Sequence, residues 1–195
     1  LGSQSIREAR VFPFAKPQES DALNDLVRKK SNFKDFSFLI IQEKEKRILI
    51  KPGDWIIEKP LIVPNEFVLV ASENTKLTLK DDGVIITKGP IDFQGSIDSP
   101  IIISAIGSGQ GIAVLNTKRK SNIDYVHFNN LSNPVSNLWS LTGALTFYNS
   151  PVSISNCIFS YINAEDSINI VKSKFSLKQS QIIKSKSDSV DIDFS

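Results

Sequence analysis

Short apolar runs recur along most of the chain, each broken by Gly, Asn, Asp, Ser or Pro. From Trp55 onward these runs show no helical spacing. They are rich in β-branched residues and bounded by turn formers, which predicts strands. The predicted strands are Leu61–Val63, Phe67–Val70, Leu77–Leu79, Val84–Thr87, Ile91–Phe93, Ile101–Ser104 and Ile112–Leu115. They continue as Ile123–Phe128, Leu145–Tyr148, Val152–Ile154, Ile168–Val171, Phe175–Leu177 and Val190–Phe194.

The later strands repeat. Gly143-Ala144-Leu145-Thr146-Phe147 aligns with Asp166-Ser167-Ile168-Asn169-Ile170, and again with Asp188-Ser189-Val190-Asp191-Ile192. Val152-Ser153-Ile154 aligns with Phe175-Ser176-Leu177 at the same offset. Two or three short strands in each unit of ~20–25 residues is a solenoid pattern. A β-sandwich also has many short strands, but nothing in it demands the same residue types at a constant offset. The sequence therefore predicts an all-β fold, a right-handed parallel β-helix with roughly 23 residues per rung and about five rungs.

The first 50 residues read differently. Pro13 and Pro17 keep residues 1–17 irregular. Ser20 or Asp21 is placed to cap a short helix through Lys30, with Ala22, Leu23, Leu26 and Val27 on one side. Phe36–Ile41 and Arg47–Lys51 read as paired strands around a polar turn at Glu43–Lys46, ended by Pro52-Gly53-Asp54. Residues 1–50 are thus expected to form a small α/β cap over the open end of the coil, and 51–195 the coil itself. A cap is needed because an exposed end rung offers unpaired strand edges.

Alternation across each strand assigns columns. Val84, Ile112, Leu145, Ile168 and Val190 are predicted to stack inside, as are Ile86, Val114, Phe147, Ile170 and Ile192. Phe128, Phe159 and Ile182 form a third interior column. Between the first two, the outward positions are Ile85, Ala113, Thr146, Asn169 and Asp191. A second outward column runs Thr87, Leu115, Tyr148, Val171 and Asp193. The turn position before the strand runs Asp82, Gln110, Gly143, Asp166 and Asp188, with Glu165 beside Asp166. One face becomes polar and acidic towards the C-terminus.

Composition narrows the function classes. A net charge of +2, from 23 Lys+Arg against 21 Asp+Glu, gives no support to a nucleic-acid partner. The single Cys157 excludes an internal disulfide framework and a multi-cysteine zinc site. No apolar run reaches the ~18 residues of a membrane-spanning helix, so no transmembrane segment is expected. No charged-then-apolar leader is visible, and Met is absent throughout, so Leu1 is not an initiator position.

Longer motifs carry a family likeness. They are Trp139, Leu141-Thr142-Gly143, Leu145-Thr146-Phe147-Tyr148-Asn149-Ser150-Pro151-Val152, Ala164-Glu165-Asp166-Ser167-Ile168-Asn169-Ile170 and Ser187-Asp188-Ser189-Val190-Asp191-Ile192-Asp193-Phe194-Ser195. With the Asp92-Phe93-Gln94-Gly95 turn, residues 55–195 resemble the right-handed β-helix proteins of bacterial envelopes found alongside or fused to spore-coat-H-like kinase proteins. The resemblance implies a secreted, periplasmic or cell-surface location. In that family further aspartate-bearing rungs follow the Asp-Phe-Ser, so the coil is expected to be truncated at Ser195. The family brings no assigned activity, so the likeness bears on fold and not on chemistry.

The chemical candidates are Thr146, Tyr148, Glu165, Asp166, Asn169, Asp188, Asp191 and Asp193. With parallel strands about 4.8 Å apart, Asp166 over Asp188 and Asn169 over Asp191 would bring oxygens together. Asp166, Asp188 and Asp191 are the candidate ligands for a hard cation such as calcium. Paired carboxylates also suit acid and base roles on a glycosidic bond. The bland alternative is that turn Asp and Ser bond their own backbone and keep the face wet. Tyr148 and Trp139 bracket this face as aromatic plates for a sugar ring, though Trp139 lies in the 129–142 insertion and is equally suited to pinning that loop. His127 is expected to face outward without an acidic partner, Cys157 to be a buried small hydrophobe, and Lys118-Arg119-Lys120 to be a solvated turn or an anionic-glycan contact. The expected function is a non-catalytic extracellular or envelope β-helix presenting a polysaccharide- or protein-binding face. The alternative is a polysaccharide lyase or hydrolase using the stacked carboxylates with calcium assistance.

Overall fold

A computed structural model describes residues 25–136 and 139–195. It is an all-β solenoid whose helical content, among the described residues, is one 3-10 turn at Phe33–Asp35. Strand β1 (Leu39–Gln42) lies antiparallel to β2 (Arg47–Ile50). From β2 onward the chain winds through six turns of about 24 residues, each contributing one strand to each of three parallel sheets.

Turn one is β2, β3 (Gly53–Ile57) and β4 (Leu61–Val63); turn two is β5 (Val68–Ser72), β6 (Thr75–Lys80) and β7 (Ile85–Thr87). Turn three is β8 (Ile91–Gln94), β9 (Ile101–Ile106) and β10 (Ile112–Leu115). Turn four opens with β11 (Ser121–Asp124) and β12 (Val126–Asn129), then inserts a hairpin of β13 (Val135–Ser136) and β14 (Trp139–Ser140) before β15 (Gly143–Tyr148). Turn five is β16 (Val152–Ser155), β17 (Ile158–Ser160) and β18 (Asp166–Val171). Turn six is β19 (Phe175–Lys178), β20 (Gln181–Ile183) and β21 (Asp188–Asp193).

The corners explain how such short strands close into a coil. Asn116, Asn149 and Lys172 hold φ between 48° and 54° where the third sheet hands over to the first, and Phe194 has the same conformation after the last strand. Tyr125, Asn156 and Gln179 do the same between the first and second sheets, and Asn130, Tyr161 and Lys184 turn the chain between the second and third at φ of 54° to 57°. A left-handed residue turns the chain sharply, and Asn tolerates that conformation best among residues with a Cβ. The expected single strand Ile123–Phe128 is therefore two strands, broken at Tyr125, where φ is 50°.

Inside, aliphatic columns run along the axis. Leu61, Ile85, Ile112, Leu145, Ile168 and Val190 are in register, and Phe147, Ile170 and Ile192 continue the neighbouring column. Phe128 and Phe159 stack at 4.7 Å with an interplanar angle of 16°. Each such side chain removed from water contributes roughly 1.5–3 kcal/mol. At the N-terminal end Phe33, Phe36, Phe38, Trp55 and Phe67 pack edge to face and face to face over the first turn.

Several expectations change. The helix proposed from Ser20 or Asp21, with Ala22 and Leu23, lies mostly outside the described residues, as do Pro13 and Pro17. Its described part, Asp25 to Lys30, is a turn closed by Arg28 and Lys29 N–H donating to the Asp25 carbonyl. The expected strand Phe36–Ile41 starts only at Leu39, after a turn at Ser37–Phe38, and Gly53 and Asp54, read as turn residues, begin β3. In β7 the register shifts by one: Ile85, not Val84, pairs with Ile112, and Val84 and Ile86 point outward. Thr87 falls opposite Val114 and is wholly buried, with its hydroxyl donating to the Gly89 carbonyl. The Gln110 N–H bonds the carbonyl of Gly83 rather than that of Asp82. Val84-Ile85-Ile86 has no polar position to mark a solvent side, because here both faces are covered.

Candidate functional site

The outward face of the third sheet changes character along the coil. In its N-terminal half Ile62, Ile86 and Ala113 share one outward column. Leu26 packs with Val84, Ile86, Ala113 and Leu115, and Val27, Trp139 and Leu141 close over them. The Trp139 indole N–H donates to the Asp25 carboxylate at 3.0 Å, which ties the hairpin to the N-terminal segment. Trp139 is thus a clasp over an apolar strip, not a plate bracketing the acidic residues.

Further along, the same column runs Thr146, Asn169 and Asp191. The Thr146 hydroxyl donates to the Gly143 carbonyl at 3.1 Å, and the residue is buried. Asn169, also buried, donates its amide N–H to Asp191 Oδ2 at 2.9 Å. That bond holds the Asp191 carboxylate in place. Gly143 is required here, since a Cβ on it would come within 2.6 Å of Asn169 Cβ.

Asp166 begins β18 opposite Gly143 on one side and Asp188 on the other. Its relative exposure is 3%, whereas Glu165 and Asp188 are exposed. Burial pushes its carboxyl above the ordinary range, and the neighbouring charges of Asp191, Glu165 and Asp188 push the same way against a hydrogen bond with Thr142. Tyr148 and Asp193 lie in the adjoining outward column either side of Val171, and both are exposed. The structure therefore gathers Glu165, Asp166, Asn169, Asp188 and Asp191, with Tyr148 and Asp193 on the flank. Among the described residues no group of three or more His, Cys, Asp or Glu is arranged to hold a metal ion.

His127 is half-buried, in register with Ile102 and Ile158, and burial lowers its pKa. It lines a cavity of about 250 Å³ with Tyr125, Gln179 and Gln181, and no carboxylate faces it there. Cys157 is buried, its thiol donates to the Ser155 carbonyl at 3.0 Å, and burial pushes its pKa up to about 12. A thiol held protonated in this way is a poor nucleophile.

Two features escaped the sequence reading. The clasp depends on contacts between residues far apart in the chain and leaves no local signal. The other is a hydroxyl ladder after the left-handed corner. Thr117 N–H donates to Ser150 Oγ, Ser150 N–H to Ser173 Oγ, and Ser173 N–H to Ser195 Oγ. Its signal is present in the sequence as a hydroxyl residue directly after each of Asn116, Asn149, Lys172 and Phe194. Searches for family models, curated proteins and solved structures related to the chain find no match.

Proposed function

We propose that this solenoid is a non-catalytic extracellular or envelope protein whose third sheet presents a polysaccharide- or protein-binding face. The observation that carries the reading is the change along one outward column, from apolar and clasped at Ile86 and Ala113 to polar at the buried Asn169, which hydrogen-bonds the half-exposed Asp191. An exposed tyrosine beside fixed amide and carboxylate groups suits a sugar ring, which offers an apolar face and hydroxyl edges. The strip sits on stacked strands rather than on loops, so little ordering is needed on binding. A secreted, periplasmic or cell-surface setting, shared with spore-coat-H-like kinase proteins, is inferred from the motif likeness alone. A glycan array should show binding that falls at least ~10-fold in Tyr148→Ala and Asp191→Ala. Binding that is absent or insensitive to both changes removes the proposal.

One observation favours a second reading, cleavage of a polysaccharide. Asp166 is a buried carboxyl that keeps its proton more readily than usual, near an Asp191 carboxylate held by Asn169. One acid and one base drawn from two carboxylates is the requirement for glycosidic cleavage. Calcium has no role in this version, which uses only the two side chains. Turnover of an acidic glycan, lost in Asp166→Ala and Asp191→Ala with the fold intact, would establish it. No cleavage across a broad glycan panel would end it.

A further inference from the structure

We propose that the corner joining the third sheet to the first is a binding ridge for an anionic polysaccharide of the polyuronate type. In turns two to five this corner is formed by residues 87–91, 115–121, 148–152 and 171–175. Those segments carry Lys88, Lys118, Arg119, Lys120, Lys172 and Lys174 and no Asp or Glu. Among the described residues none of these six cations forms an ion pair, and all but the half-buried Lys88 are exposed. This surface shares only Tyr148 with the third-sheet strip and its six cations lie outside that strip, so the inference does not rest on that reading.

The ridge is rigid because its backbone is tied across turns. Arg119 Nη2 donates to the carbonyls of Asn65 at 3.0 Å and Phe67 at 3.2 Å, anchoring the Lys118–Lys120 turn to turn one. Thr117 N–H bonds Ser150 Oγ, Ser121 N–H bonds the Pro151 carbonyl, and Val152 N–H bonds the Lys174 carbonyl. Leu115, Tyr148 and Val171 are in register, so strand stacking at about 4.8 Å sets the corner that carries Lys118–Lys120 and the corner that carries Lys172 and Lys174 about 10 Å apart along the axis. A linear polyanion laid along the coil axis meets Lys88, then Lys118–Lys120 and, past the uncharged segment 148–152, Lys172 and Lys174, without any movement of the protein.

The kind of cation selects among polyanions. Nucleic-acid and phosphate recognition favours free guanidinium forks. The one arginine of this ridge has Nη2 committed to two backbone carbonyls, which leaves lysines as point charges. Single-stranded nucleic acid also favours a row of aromatic platforms. These four corner segments carry two aromatic residues, Tyr148 and the 39% exposed Phe175, which are two isolated rings and not a row. Dispersed carboxylates on hydroxyl-rich rings, with Tyr148 beside them, fit this surface better.

The test titrates the full 195-residue chain with polygalacturonate, with dextran as the uncharged control, at low and at physiological salt. Polygalacturonate should bind, dextran should not, and added salt should weaken the complex. Lys118→Gln/Lys120→Gln/Lys172→Asn/Lys174→Gln should weaken it at least ~10-fold. Lys172→Asn places at this left-handed corner the residue type already present at Asn116 and Asn149, so the fold should survive, as an unchanged urea midpoint would show. A single Lys118→Glu reversal gives a second, milder variant with the same expected direction. No binding, or unchanged affinity in both variants, overturns the proposal. So does tighter binding to poly(dT) or to phosphatidylserine vesicles than to polygalacturonate.

Discussion

The Ser173 hydroxyl shows how one side chain serves two turns. It accepts the Ser150 N–H at 2.8 Å and donates to the Val171 carbonyl at 2.8 Å, in a place where both serines are buried. Ser173→Ala leaves the Ser150 N–H without a partner and should cost about 1–3 kcal/mol. Urea unfolding should register this as a lower midpoint at unchanged m. An unshifted midpoint would mean that water replaces the hydroxyl. Asp166 makes a prediction of opposite sign. Its folded-state carboxyl titrates above the ordinary 3.8 because burial disfavours the charge. Above that pH the folded chain keeps a proton that the unfolded chain has released. The stability from this group is therefore complete below 3.8 and is lost as pH rises through the folded value. Asp166→Asn should flatten the stability profile in that window and leave the variant more stable than its parent at neutral pH. Parallel profiles for the two proteins would refute the assignment.

Hairpin β13–β14 is an element whose purpose lies outside itself. Its two-residue strands could not stand alone, and a hairpin of this size is marginal in water. It is held where Trp139 reaches Asp25 and where Trp139 and Leu141 cover Ile86, Ala113 and Leu115. Trp139→Ala should release the segment around Asp25, raise its amide exchange and expose an apolar strip able to bind a hydrophobic dye. The stability loss should be about 1–3 kcal/mol, below that for a fully buried tryptophan because Trp139 is only half-buried. Unchanged exchange around Asp25 would show that the clasp does not hold it. Strands bounded by polar turns were legible in the sequence, and the register of turns four to six followed from Thr146, Asn169 and Asp191. Where the clasp removes solvent from the outer face, as at Val84-Ile85-Ile86, alternation no longer marks a face and the register was misplaced by one. The break at Tyr125 was missed for another reason, since an aromatic residue gives no warning of a left-handed corner.

At the scale of the molecule, a solenoid is nearly one-dimensional, and each turn is stabilised by its neighbours rather than by a common centre. Legibility of the candidate site follows the same rule. Sequence offset alone brought Asp166 to Asp188 and Asn169 to Asp191, because stacked turns convert offset into adjacency. It gave no sign that Asp166 would be buried while Asp188 stayed exposed, since burial depends on how the strand and its turns pack. One interior column offers a matched test of nearest-neighbour stability. Ile170 and Ile192 are the same residue type in register on adjacent strands, yet Ile170 is fully buried between two turns and Ile192 is 45% exposed. Removing Ile170 opens a cavity that turns on both sides resist closing, so Ile170→Ala should cost about 2–5 kcal/mol. Ile192→Ala deletes a side chain still half in water and should cost under about 1 kcal/mol. The two should also separate spatially, with Ile192→Ala raising amide exchange in β21 alone and Ile170→Ala raising it through β15, β18 and β21 together. Equal losses at the two sites would mean that the coil unfolds as one cooperative body in which position along the axis does not matter.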